Sequence, residues 1–330
     1  MVRLLLKYFL LLCILIVVGS VIGPTGFNVD LDLLTTIRLP RVTTALFAGA
    51  ATAAAGTLSQ SLFRNSLATP SIIGTEAGAS FSLALATMLA AQYGIGLEVG
   101  NPIFYTSIGA ALATMLSLGI MRFRPEGLGS SSGDSMARLL LGGFALNAMF
   151  AAGSAFCLSI LMENGAGMSL YHWLMGSFSA RTWDHALGIT GAYFVCVALA
   201  FRLAPTLDAL SLGDEASRSI GIDVARIRWQ VLLITSILIG SSLSCGGALP
   251  FVGLIAPHFA RLLSKPHVKI LLPLASIIGA ILAVSADLVA RTLRAPIDMD
   301  VGLLTTLIGA PYFIWLLISN NGWAGGKSRD

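Results

Sequence analysis

The sequence predicts an all-α integral membrane protein with ten transmembrane helices forming a single domain over residues 1–330. Three observations carry that prediction. Hydrophobic residues make up 56% of the chain and charged residues 11%. A soluble domain has about 25% charged residues, so this chain has too few charges to solvate a globular surface. Nine stretches, roughly 4–22, 42–63, 71–92, 102–121, 138–162, 185–204, 229–248, 270–290 and 301–319, are about long enough to cross a bilayer. Finally, when these stretches are threaded in order, fifteen of the twenty Lys and Arg fall on one side. That side is cytoplasmic by the positive-inside rule.

The first span follows Arg3 and Lys7 and runs apolar to Ile22 with no A-x-A-type cleavage site, which predicts a retained helix rather than a signal peptide. In the second, Ala45, Ala48, Gly49, Thr52, Ala53 and Gly56 make a helix that is small nearly all round. Small faces let helices approach closely, which places this one at the centre of the bundle. A tenth stretch, 252–263, would be roughly 18 Å long as a helix, too short to cross alone. Gly246, Gly247, Pro250 and Gly253 break the backbone before it, so 246–265 reads as a broken helix beside protein or an aqueous pathway. Counting it as a crossing places both termini in the cytoplasm and gives the better charge fit. A faint echo between the Gly-rich stretches near 64–80 and 246–257 hints at an inverted repeat.

The charge left on the outer face is Arg38, Arg41, Arg181, Arg291 and Arg294. The net charge of +4 is explained by this segregation, and no nucleic-acid motif accompanies it. Cys13, Cys157, Cys196 and Cys245 lie in apolar runs without metal-ligand or disulfide spacing. The longest polar interruption, 205–228, contains a short amphipathic helix from about Ser211 or Gly213 to Gly221, with Asp214 and Glu215 in its first turn. It reads either as a solvated loop or as a docking helix for a cytoplasmic partner.

Glu215-Ala216-Ser217 followed by Gly221 resembles the EAA…G loop of ABC importer membrane subunits. More specifically, RLPR at 38–41, RNSLATPSIIGTEAGAS from Arg64, LSLGDEASRSIGI from Leu210, and the run from FVGLIAPHFARLL at Phe251 to GAPYFIWLL ending at Leu317 resemble the FecCD permease family in order and spacing. The resemblance implies a type II permease subunit of ten helices. Its partners would be a second permease subunit (a copy of itself or a sister), two cytoplasmic ATPases and a periplasmic or lipid-anchored binding protein. The compartment implied is the bacterial inner membrane. The family imports ferric siderophores, haem and vitamin B12; ferric siderophore is the leading expectation here, ahead of haem, vitamin B12 or an oxyanion such as molybdate. The resemblance also assigns roles to residues. Arg38, Arg41 and Arg291 would dock the binding protein, and Asn65 and Leu67 would form the cytoplasmic gate. Leu212, Gly213, Asp214, Glu215, Ala216 and Gly221 would couple to the ATPase.

Three departures from the family pattern stand out. Ser66 replaces a Pro in the gate segment, Ala248-Leu249-Pro250 stands where Pro-Ile-Gly is usual, and Asp298-Met299-Asp300 replaces Glu-Leu-Pro. The two aspartates bring negative charge close to the docking arginines. Asn147 is a candidate pathway residue. No cofactor or metal is expected: GWAGGKS at 322–328 misses P-loop spacing, and His172, Asp184 and His185 lack ligand spacing. Glu76 reads as a residue near a helix end, and His258 as part of the family pattern with a structural hydrogen bond. A secondary transporter would need charged residues near span centres, and an intramembrane enzyme a paired catalytic motif; neither is present, so energy must come from a partner ATPase.

Overall fold

The computed structural model describes residues 2–23, 26–27, 30–93, 102–122, 132–163, 165 and 167–318. The chain opens with α1 (Val2–Val21), a two-residue antiparallel pair β1 (Ile22–Gly23) and β2 (Gly26–Phe27), and α2 (Leu31–Leu33). A π-helical turn, Leu34–Arg38, then leads into α3 (Leu39–Leu62). A 3-10 turn, Pro70–Ile73, precedes α4 (Thr75–Gln92), α5 (Pro102–Arg122), α6 (Ser132–Glu163) and the short α7 (Gly167–Leu174). The rest comprises α8 (Trp183–Leu210), α9 (Asp214–Ser219), α10 (Val224–Gly246), α11 (Val252–Leu263), α12 (Val268–Thr292) and α13 (Val301–Ile318).

The ten expected passes correspond to α1, α3, α4, α5, α6, α8, α10, α11, α12 and α13. Seven of the described helices are long and apolar enough to cross a membrane unaided; α4, α11 and α13 fall outside that set. Two boundaries differ from the sequence expectation. Pro205 does not end α8, which runs on to Leu210, and α6 starts at Ser132 rather than near 138.

The small-residue helix is central, as its composition requires. Along α3 nearly every residue from Ala48 to Gln60 is buried, against α12, α10, α8 and α11. Two backbone crossings fix its position. A Cβ on Gly49 would lie 2.2 Å from the Gly279 carbonyl oxygen of α12, and one on Gly56 would lie 1.9 Å from that of Gly253 in α11. Within the bundle, hydroxyls replace water as partners: Thr52 and Ser242 are 2.9 Å apart, Thr75 and Thr114 3.0 Å, and Thr106 donates to the Gly240 carbonyl at 2.7 Å.

The break before α11 is closed by protein. Gly247, at φ 70°, packs where a Cβ would meet the Trp173 carbonyl oxygen at 2.1 Å. The Trp173 indole N–H donates to Leu243 at 3.0 Å, Val301 N–H to Gly176 at 2.7 Å, and the Phe251 carbonyl receives Leu254 and Ile255. Gly253 lies level with Thr52 and Gly56, well down α3. The non-helical segment 247–251 and twelve-residue α11 therefore make one crossing between them. Protein groups thus meet the Gly247 N–H and the Leu243 and Phe251 carbonyls around the break, as irregular chain at membrane depth requires.

Candidate functional site

Chemistry-bearing residues collect at the two ends of the bundle. At the end where α3 finishes, the gate segment turns sharply. Arg64 takes a left-handed φ of 52°, Asn65 N–H returns to the Gln60 carbonyl at 3.1 Å, and Asn65 Oδ1 accepts Leu67 N–H at 2.9 Å. The last is an Asx turn, a side chain standing in for a backbone turn, so the segment is closed locally although Ser66 stands where the family carries Pro. Asn65 and Leu67 are half-buried, so each keeps part of its surface on the outside of this chain. Asn147 is engaged with the same segment: its Nδ2 donates to the Ser71 carbonyl at 2.7 Å, pinning the 3-10 turn to α6.

Beside the gate sits α9. Gly213, at φ 115°, turns the chain into it, and Gly221, at φ 84°, turns the chain out. Ser217 is its single buried residue; its hydroxyl reaches the Gly213 and Ala209 carbonyls at 2.7 and 3.2 Å. Glu215, Ala216, Arg218 and Ile220 are exposed, as is Leu212 before the helix. Asp214 instead points back into the protein. Its Oδ1 lies 3.2 Å from Arg64 Nη2 and its Oδ2 2.6 Å from Arg228 Nη2. Nearby, Arg261 donates to the Gln60 side chain, and Asp208 Oδ1 accepts the Val268 N–H that opens α12 at 2.9 Å.

At the opposite end the predicted docking arginines are buried rather than displayed. Arg41 reaches Asp287 Oδ1 at 2.9 Å and Asp298 Oδ2 at 2.7 Å, and Ser179 also donates to that Asp298 oxygen at 2.8 Å. Arg291 Nη2 lies 3.3 Å from Asp287 Oδ2, off line for a hydrogen bond, so the attraction is ionic. The π-helical turn carries Arg38 under the end of α1, where it donates to the Ser20 carbonyl at 3.3 Å and to that of Val21. Gly19 and Gly23 make the room: a Cβ at either would crowd Arg291 or Arg38 to 3.2 and 2.9 Å. Burial of charge requires compensating partners: Asp287 and Asp298 provide them for Arg41 and Arg291, and the backbone carbonyls at the end of α1 for Arg38. Arg181 lies over the Trp173 ring at 5.5 Å. Arg294, outside the three residues expected to dock, is exposed.

The groups set aside from the sequence are dispersed. His172 pairs with Asp300 at 3.0 Å, and His185 caps α8 through Thr182 at 2.9 Å. The His258 ring sits edge-on to Tyr312, 6.3 Å between centroids, and Glu76 occupies the first turn of α4. Among the described residues no three His, Cys, Asp or Glu come together as a metal site. Residues 322–328, with Lys327 and Arg329, lie outside the described residues. The i,i+4 spacing of Asp287 and Arg291 made their pairing legible in the sequence, and the pair is present; the Arg64–Asp214 and Arg41–Asp298 pairs were not legible, because their partners are 150 and 257 positions apart.

Together the bundle, the broken crossing and the exposed short helix define a multi-pass membrane permease. Residues 6–319 match the FecCD transport family. The chain is 34% identical over 282 residues to the hemin transport system permease protein HmuU of Yersinia pestis, covering 86% of this chain and 82% of that one. It is 33% identical over 327 residues to the vitamin B12 import system permease protein BtuC of Vibrio cholerae, covering 96% and 93%. A similar match, 33% over 285 residues, covers 86% of this chain and 80% of the Fe(3+)-citrate import system permease protein YfmD of Bacillus subtilis. A solved structure described as an inward-facing conformation of a metal-chelate type ABC transporter superposes with a TM-score of 0.80 at 29% identity, covering 96% of this chain and 99% of that one. The protein belongs to the FecCD transport family and is a membrane-spanning permease subunit of an ABC importer.

Proposed function

We propose that this subunit moves a metal chelate, with ferric siderophore as the substrate, from an extracytoplasmic binding protein to the cytoplasm. The observation that carries the reading is α9: a short helix held by one buried serine, with Leu212, Glu215, Ala216 and Ile220 turned outward beside the gate segment. Such a helix suits a groove on a cytoplasmic ATPase, which supplies the energy through its own nucleotide site. With α9 on the cytoplasmic side, both termini are cytoplasmic and the arginine cluster faces outward.

Asn65 and Leu67, half-buried in one chain, would meet their counterparts from a second permease subunit to close the pathway. Rocking of the two subunits would open it. The binding protein docks at the arginine end. Arg294 makes the first contact, and carboxylates of the binding protein reach Arg38, Arg41 and Arg291 by exchange with Asp287 and Asp298.

The test is reconstitution of the permease with its ATPase and binding protein in proteoliposomes, followed by uptake of radio-iron presented as a siderophore complex. ATP-dependent uptake that requires the binding protein is expected. Uptake of haem or cobalamin in its place would overturn the substrate, and uptake driven by an ion gradient without ATP would overturn the mechanism.

A further inference from the structure

The two ends of the translocation machinery on the α9 side, the coupling helix and the gate, are distant in sequence but tied together by one side chain. Among the described residues, the Arg64–Asp214 ion pair is the one polar side-chain link between α9 and segment 63–69. Both carboxylate oxygens of Asp214 are in use, Oδ1 by Arg64 from the gate and Oδ2 by Arg228 from the first turns of α10. Asp214 is therefore turned away from the surface that Glu215 and Ala216 present, so the two acids of α9 have different work. Arg64 immediately precedes Asn65, and its left-handed φ of 52° sets the direction in which the gate segment leaves α3. Its Nη1 would also lie 3.5 Å from a Cβ on Gly213, so it sits across the whole entry of α9.

We propose that Arg64 is a positioning residue that transmits movement of the coupling helix to the gate: Asp214, braced on α10 by Arg228, pulls on Arg64 and so on Asn65 and Leu67. This rests on the coupling and gate reading given above. The pair is suited to the task because it joins the two segments while both side chains stay partly solvated, at 41% and 29% exposure. It can therefore break and re-form as the machine cycles, whereas a desolvated pair would lock.

The experiment uses the reconstituted complex of permease, ATPase and binding protein and measures substrate moved per ATP hydrolysed, together with ATPase retained on the permease. Arg64→Gln is expected to keep its ATPase while substrate per ATP falls about ten-fold, toward the lower end of the range for coupling between sites. Arg64→Lys, which keeps the charge, is expected to recover most of that loss. Asp214→Asn is expected to lower the ratio too, and the double variant to be no worse than the poorer single, because both remove one interaction. A merely structural defect would lower uptake and hydrolysis alike and leave their ratio at the wild-type value. Wild-type ratios in Arg64→Gln, or strictly multiplicative losses in the double variant, would overturn the proposal while leaving the importer reading intact. Failure of the wild-type permease to retain any ATPase would instead remove the reading beneath it.

Discussion

The molecule carries the same chemical unit, an aspartate between two arginines, at both ends of its bundle, and the two copies are built to opposite purposes. At one end Asp287 stands between Arg41 and Arg291, with Asp287 and Arg291 each 1% exposed and α1 laid over them. At the other, Asp214 stands between Arg64 and Arg228, with all three side chains about a third exposed. The difference lies in the alternative available to each group. A sealed charge has no water to turn to, so losing its partner leaves it stranded. A half-solvated charge exchanges its partner for water at little cost. The first unit ties α3 to α12 in one arrangement, and the second joins the two segments proposed above to move.

The widest separation between the two units is expected from removing the central acid. Asp287→Ala should destabilise the detergent-solubilised protein by about 3–5 kcal/mol, the loss typical of a buried pair broken on one side. It would be read as a large fall in the thermal unfolding midpoint or in yield of folded protein. Asp214→Ala should cost about 0–1 kcal/mol by the same measurement; a comparable loss at the two sites would erase the distinction drawn here. Next in size is the α3–α11 crossing that lies between the two units: Gly56→Leu should cost roughly 1–3 kcal/mol or more, since the new side chain meets the Gly253 backbone. Gly119→Leu, where nothing lies within 4 Å of the Cβ position, is the matched control and should be near neutral.

Salt gives the smallest and sharpest contrast. Raising ionic strength from about 0.1 to 1 M shortens the screening length from about 10 to 3 Å. The stability difference between wild type and Asp214→Asn should then shrink, while that between wild type and Asp287→Asn should hold. Thermal melts of the three proteins at two salt concentrations check this.

Much of the fold was legible beforehand because the bilayer constrains it. Backbone groups in hydrocarbon must bond internally, so long apolar stretches become helices, and residues such as Gly49 and Gly56 on one span mark the helix others pack against. Helix α9 was legible too, bounded by Gly213 and Gly221 at positions of positive φ. The direction of the polar side chains was not. Arg38, Arg41 and Arg291 read as surface charges because arginine in an extramembrane loop usually is one. Only the fold shows that a π-helical turn, Gly19 and Gly23 bring α1 down over them.

By itself, then, the sequence determined the membrane class, the helices that make up the bundle and the central position of α3. These follow from local composition and spacing, which act over one or two helical turns. The tertiary structure alone decided that Arg41 is sealed against Asp287 and Asp298 and that Arg64 meets Asp214. Those contacts join residues far apart in the chain, and an ion pair leaves no mark in the local pattern around either partner; it exists only once the packing of α3 against α10 and α12 has brought the two together.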